Sequence, residues 1–323
     1  PAAVEYLEST IEYGINPSLG RIKLLCKMLG DPQLSFPAIH LTGTNGKTST
    51  ARLISSILTN LRLKVGTYTS PHLESCTERI TLNLKPILKK DFASYLAKII
   101  PYIEAVNHHQ PENLTYFEIL TGCAFLYFAE KGVDCGVIEV GMGGKWDATN
   151  IFYPKVAVIT NVQLDHTDML GNTHSKIALE KVKIIKNGCQ VVTAEDKPEI
   201  LGIIEKRCVK EKANLKVLGR DFSFLVKCSR DGIQELNITG LFGNYEGLIL
   251  PLIGSHQAVN AAVAVAAIEA FYGRALPLRM LKKGLAGVCS PGRLEVIAPK
   301  DFGATVVLDG AHNPAGATAL AEA

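Results

Sequence analysis

The chain contains no Cys-x-x-Cys pair, which removes the usual short signature of a structural zinc site or a dithiol redox centre. Its eight cysteines are scattered and read as buried or half-buried thiols in a reducing compartment. An excess of one charge is also missing: 34 Lys and Arg against 31 Asp and Glu leave +3, too little to argue for a nucleic-acid binder. No run is long and apolar enough for a membrane span. The least polar stretch, GSHQAVNAAVAVAAIEAF (254–271), carries His256, Gln257 and Asn260 near its start and reads as an alanine-rich core helix over 256–272. No basic, apolar leader opens the sequence, and no repeat or low-complexity tract interrupts it. The expected compartment is the cytoplasm, with neither nucleic acid nor membrane as a partner.

With 323 residues, 47% of them hydrophobic, the chain can bury one large core or two smaller ones. It opens on Pro1 and closes on ATALAEA without a helix cap, so both ends are expected to be cut. Short β-branched runs lead into glycine or polar loops at AIHLTG (38–43), CGVIEVG (135–141), KVAVITN (155–161) and ATVVLDG (304–310), with helical patterns between most of them. That spacing predicts an α/β fold with a mostly parallel sheet covered by helices, its functional residues just past the C-terminal strand ends. Two helices are expected around GINPSLG within 4–29, another over ENLTYFEILTGCAFLYFAEKG, and antiparallel strands from about 215 to 253. A boundary near 291 would separate a body of residues 1–290 from the start of a second, Rossmann-like α/β domain in 291–323.

The most informative stretch is AIHLTGTNGKTST (38–50), a strand, a turn and the start of a helix. Backbone amides from Thr44, Asn45, Gly46 and Ser49 could surround a phosphate, Lys47 would reach its oxygens and Thr48 would offer a hydroxyl to Mg2+. The GxxxxGK[ST] spacing would put its first glycine at position 41, which is Leu41. Gly43 is the candidate substitute.

Other strand ends carry oxygen and nitrogen donors. Ser70 is an oxygen ligand or a member of a plain Ser-Pro-His turn. Glu139 stands in an apolar strand, where an unpaired carboxylate is expensive, so it needs a cation or a hydrogen-bonding partner. His166, beside Asp165, is open between catalytic base, metal ligand and helix cap. Lys181 lies in a helix expected to begin near Thr173. It is either a surface lysine whose stem covers apolar residues or a buried amine able to take up carbon dioxide as a carbamate.

Taken together, GRIKLLCKMLG (20–30), GTNGKTST (43–50), SPHLESCTERI (70–80), EVGMGGKWDATN (139–150), LDHTDMLGNTHSKIALEKVKIIKNG (164–188), GSHQAVNAA (254–262), SPGRLE (290–295) and LDGAHNPAGA (308–317) resemble the folylpolyglutamate synthase and dihydrofolate synthase family of the Mur ligase superfamily. The resemblance implies ATP-dependent addition of L-glutamate to a folate or to dihydropteroate by a cytoplasmic monomer. It assigns Lys47 to phosphate and Thr48, Ser70 and Glu139 to a first Mg2+. A second ion would take His166 and Lys181 as N6-carboxylysine, with Glu139 shared. Asn260, Arg293, Asp309 and His312 fall at positions for nucleotide binding or closure between domains; Gln257 and Asp147 are secondary members, and His72, Lys145 and Asp147 lie on the substrate side.

Three departures from the family pattern stand out. Thr48-Ser49 replaces a Gly-Ser pair, Lys145-Trp146 replaces Arg-Leu, and Lys183 adds a charge near Lys181. Another Mur-type amide ligase, a P-loop NTPase without ligase activity and a nucleotide-binding scaffold are the rival readings.

Overall fold

Eight short strands form the sheet that carries the site in this computed structural model, which describes residues 2–14, 16–230, 232–297 and 305–323. They are β1 (Ala38–Thr42), β2 (Val65–Tyr68), β3 (Ile80–Leu82), β4 (Lys85–Pro86), β5 (Cys135–Glu139), β6 (Val156–Ile159), β7 (Gln190–Thr193) and β8 (Asn214–Val217). Their order is β4-β3-β2-β5-β1-β6-β7-β8, parallel throughout except where β3 and β4 add an antiparallel edge. The register sets Leu41 opposite Glu139 and Thr42 opposite Ile159, so the chain leaves β1, β5 and β6 at one common rim.

Alternate residues of β6 explain why both faces must be covered. Val156 and Val158 join a core with helices α3 (Lys47–Asn60), α9 (Ser255–Tyr272) and α10 (Leu278–Ala286). Ala157 and Ile159 join a second core with α7 (His174–Lys181) and α8 (Pro198–Glu211), which follow the one-turn α6 (Thr167–Leu170). A third core gathers α1 (Ala2–Ser9), α2 (Gly20–Met28), α4 (Lys89–His109) and α5 (Tyr116–Lys131). Strands buried on both faces read as continuous apolar runs, as these do. Helix α5 begins with a capping box in which Glu118 accepts from the Thr115 amide at 2.9 Å; its Leu120, Phe125 and Phe128 are buried and Phe117 is partly so.

Behind α9 lies a three-stranded antiparallel sheet of β9 (Ser223–Arg230), β10 (Ile233–Thr239) and β11 (Asn244–Leu250). The expectation of antiparallel strands from about 215 is corrected at its start, because Asn214–Val217 pairs parallel with β7 and ends the main sheet. The helix expected over 256–272 is α9, buried on nearly every side, which its alanines permit by letting neighbours approach closely. Near the end, β12 (Glu295–Ile297) pairs antiparallel with β13 (Val306–Leu308), and α11 (Pro314–Glu322) follows. Ile15 of the expected GINPSLG connection and Ala304 of ATVVLDG lie outside the described residues, as does Pro1.

Candidate functional site

Position 41 answers the question of the missing glycine. Leu41 is a fully buried residue inside β1, so the turn begins two residues later and needs no glycine there. Gly43 and Gly46 are the constrained positions. A Cβ on Gly43 would overlap the Thr160 hydroxyl; Gly46 has φ +82°, and a Cβ there would come within 2.5 Å of Asn260 Oδ1.

The loop is pinned to the end of β6. The Thr44 amide donates to the Asn161 carbonyl at 2.9 Å, the Asn45 amide to Asn161 Oδ1 at 3.0 Å, and Thr160 Oγ1 to the Asn45 carbonyl at 2.6 Å. Thr44 and Asn45 therefore spend their backbone amides on the fold. The amides of Gly46 through Ser49, at the N-terminus of α3, are the ones left to face an anion. Ser49 is buried with its hydroxyl 3.3 Å from that of Ser290.

Two amines share one carbonyl beneath this loop. Lys47 Nζ donates to Gly43 O and Thr44 O, both at 3.0 Å, and Lys181 Nζ donates to Gly43 O at 2.8 Å. The surface-lysine reading of Lys181 is thereby corrected. Thr173 caps α7, which runs inward and delivers Lys181 at its last turn with 3% exposure. Burial, followed by the neighbouring Lys47 charge, holds the Lys181 amine well below the usual lysine range. Burial also lowers Lys47, against the pull of Glu139 and Asp165. Lys183 is half-buried and its carbonyl accepts from Asn150 at 3.4 Å.

Glu139 ends β5 beside the start of α3. Its carboxylate accepts from Thr48 Oγ1 at 2.9 and 3.1 Å and from the Ser70 amide at 3.3 Å. Burial pushes its acid up to about 7, while Lys47 and these donors pull the other way. A buried carboxylate, a threonine hydroxyl and a serine at one point form the hard-oxygen set that suits Mg2+. Among the described residues no three His, Cys, Asp or Glu side chains converge as metal donors, so the hydroxyls are essential to that fit.

His166 stands at the rim of the same cavity, 51% exposed, at the N-cap of α6 but without a side-chain cap bond. Asp165 lies between two imidazoles, with Oδ2 at 3.8 Å from His166 Nε2 and 3.6 Å from His312 Nε2. The cavity holds about 380 Å³ and also takes in Asn260, Arg293 and Asp309. Asn260 donates to Gln257 Oε1 at 3.0 Å, and Asp309 holds the Leu294 and Ala311 amides at 2.9 and 2.7 Å.

The substrate-side residues do not line this cavity. His72 Nδ1 accepts from Arg79 Nε at 2.8 Å, and Lys145 Nζ lies 4.6 Å from the centre of the exposed Trp146 ring. Asp147 is buried and spends both oxygens on its own loop, accepting from the Met142 and Thr149 amides at 3.0 Å and the Thr149 hydroxyl at 2.5 Å. A second cavity of about 900 Å³ lies on the other side of Asp309 and Gly310, with Arg52, Thr69 and Cys289 in its wall.

Sequence reasoning did not single out Asn161 or Asn313. Asn161 acts from the next strand end through bonds to the loop backbone, which leave no local pattern. Asn313 carried a signal in Asn-Pro-Ala-Gly, a polar cap followed by proline at the first helical position.

A nucleotide loop at the end of β1, a strand-borne carboxylate against its threonine and a buried lysine under it define a Mur-type ligase core, and residues 41–268 match the Mur ligase middle domain. The chain is 40% identical over 328 residues to the dihydrofolate synthase/folylpolyglutamate synthase of Mycobacterium tuberculosis (strain ATCC 25618 / H37Rv), covering 96% of this chain and 67% of that one. It is 36% identical to the protein of the same name from Bacillus subtilis (strain 168), covering 99% and 75%. Within the Mur ligases, it belongs to the folylpolyglutamate synthase/dihydrofolate synthase family. Its fold superposes on Mycobacterium tuberculosis folylpolyglutamate synthase complexed with ADP and AMPPCP with a TM-score of 0.94 at 40% identity, over 99% of this chain and 73% of that one. An FPGS–AMPPCP–folate complex gives 0.93 at 34% identity, over 99% and 78%.

Proposed function

We propose that this chain activates the carboxylate of a folate or of dihydropteroate with ATP and joins it to the amino group of L-glutamate. The observation that carries this reading is the Glu139–Thr48 contact beside the N-terminus of α3 and Lys47. A free carboxylate offers an amine no better leaving group than oxide. Transfer of the γ-phosphoryl group of ATP to it gives ADP and an acyl phosphate. The neutral amine of glutamate then attacks the acyl carbon, phosphate leaves with the bonding pair, and the amine loses a proton as the amide forms. Lys47 and the amides of Gly46 through Ser49 offset charge on the transferring oxygens, and the walls hold the two reactants in line.

Thr48, Ser70 and Glu139 would hold one Mg2+, and His166 with Lys181 would serve a second, Glu139 being shared. Bound Mg2+ supplies charge neutralisation at the phosphates. Lys181 is suited to become N6-carboxylysine because burial, with the Lys47 charge beside it, disfavours its protonated form; the carbamate would set an anion beside Lys47. Asn260, Arg293, Asp309 and His312 take the nucleotide or close over it. His72 and Lys145 face the folate side, with Asp147 acting through the loop it holds.

In this reading residues 1–290 do the activation and 291–323 open the glutamate-ligase domain, in keeping with the separate β12–β13 pairing. A cytoplasmic monomer is the setting the family resemblance implies; no described helix is long and apolar enough to cross a membrane.

The test follows ADP release and glutamate incorporation together, with ATP, Mg2+ and bicarbonate and either dihydropteroate or tetrahydrofolate. Incorporation with both is expected. ADP release indifferent to both pterins and to glutamate would replace this reading with that of a simple NTPase.

A further inference from the structure

Asn313 makes every hydrogen bond a carboxamide can make. Its Oδ1 accepts from the Gly316 amide at 2.8 Å, capping α11, and from Asn45 Nδ2 at 3.2 Å. Its Nδ2 donates to Asn45 Oδ1 at 3.0 Å and to Asp165 Oδ2 at 3.3 Å. Two donors and two acceptor sites are the full inventory of the group. Asn313 is 8% exposed, so a wrong orientation would leave buried donors facing one another.

The order of constraint runs in one direction. The Gly316 amide can only donate, which fixes oxygen toward α11 and nitrogen toward Asp165. That orientation in turn dictates how the Asn45 amide must sit. Asn45 belongs to the phosphate loop, and its backbone is already tied to Thr160 and Asn161. Its side chain is the part of the residue that reaches across 268 positions of sequence to meet α11.

We propose that Asn313 is a positioning residue for the phosphate loop. It carries the placement of α11 into the loop that receives nucleotide phosphates, and it steadies Asp165 next to His166. This inference rests on the nucleotide-site reading above, and it requires nothing of the acceptor or the amino acid.

The experiment measures affinity for AMPPCP with Mg2+ by calorimetry on the full chain carrying Asn313→Asp, Asn313→Ser, Asn45→Ala or both changes, beside glutamate incorporation. Aspartate and serine both retain a helix cap, so α11 keeps its start. Aspartate loses the two donated bonds and sets its charge against Asp165. Affinity is expected to fall about tenfold for Asn313→Asp, as loss of one well-placed polar pairing does, with the melting temperature close to that of the parent. The double variant should bind no more weakly than the weaker single one. Binding within twofold of the parent in both Asn313 variants, or losses that multiply in the double variant, would overturn the proposal. Normal AMPPCP binding by the parent without incorporation would instead count against the ligase reading alone.

Discussion

Glu139 and Glu269 are both buried almost completely, at 1% and 0% exposure, yet the regions around them use the carboxylate differently. Glu269, near the end of α9, takes the Tyr245 hydroxyl at 2.6 Å and the amides of Leu241 and Phe242, closing the β10–β11 turn onto the helix. None of those donors lines the cavity at the phosphate loop. Glu139 meets fewer donors, and one of them, the Thr48 hydroxyl, stands on the wall of an open cavity. Burial raises the acid of both residues above the ordinary value of 4.5. A carboxylate satisfied by a local turn holds structure; one left with fewer donors among other cavity oxygens is the one we propose for a cation.

The sharpest test of that contrast is Glu139→Gln, which should lower glutamate incorporation by about 10²–10³-fold, the scale of losing one charge-stabilising group. The melting temperature should hold or rise. Unfolding at low temperature in this variant, with normal incorporation by what remains folded, would erase the distinction. Lys181→Ala should cost at least about a hundredfold, since it removes a proposed direct ligand where loss of an outer partner of a metal site already reaches that scale. Carbon-13 bicarbonate should give a carbamate resonance in the parent that disappears in Lys181→Arg. Parent-like turnover of Lys181→Ala without bicarbonate rescue would sink the carbamate.

The opposite arm is Glu269→Gln, which should destabilise by about 1–3 kcal/mol in urea unfolding, the range for buried groups losing a partner. Its incorporation per folded molecule should match the parent. The last effect is a pH slope. With the folded acid of Glu139 near 7, against an ordinary 4.5, the native state binds the extra proton between those values. Stability without Mg2+ should therefore fall as pH rises from about 4.5 to about 7 and then level, because the unfolded chain gives up the proton more readily. Glu139→Gln should flatten that slope; an unchanged slope would remove Glu139 as its source.

Much of this frame was legible before any coordinates. Apolar runs ending in glycine or a polar loop placed β1, β5 and β6, and a carboxylate in an otherwise apolar strand pointed to Glu139. Where the sequence misled, the cause was distance along the chain. The depth of Lys181 depends on α7 turning toward Gly43, 138 positions away, and a single short helix shows one polar position either way. Residues 214–217 went to the wrong sheet because a four-residue strand looks the same in parallel and antiparallel company. Asn313 required a partner that no spacing rule reaches.

One consequence belongs to Gly46. The space its missing Cβ would fill is taken by Asn260, a residue of the core helix α9, and its φ is left-handed besides. Glycine is therefore demanded here twice, once by the left-handed backbone and once by the helix behind it. A descendant of this chain that ceased to bind nucleotide would keep both demands. Such a relic would still carry its glycine long after Lys47 was free to drift, so the lysine, rather than the glycine, is the honest marker of a working copy.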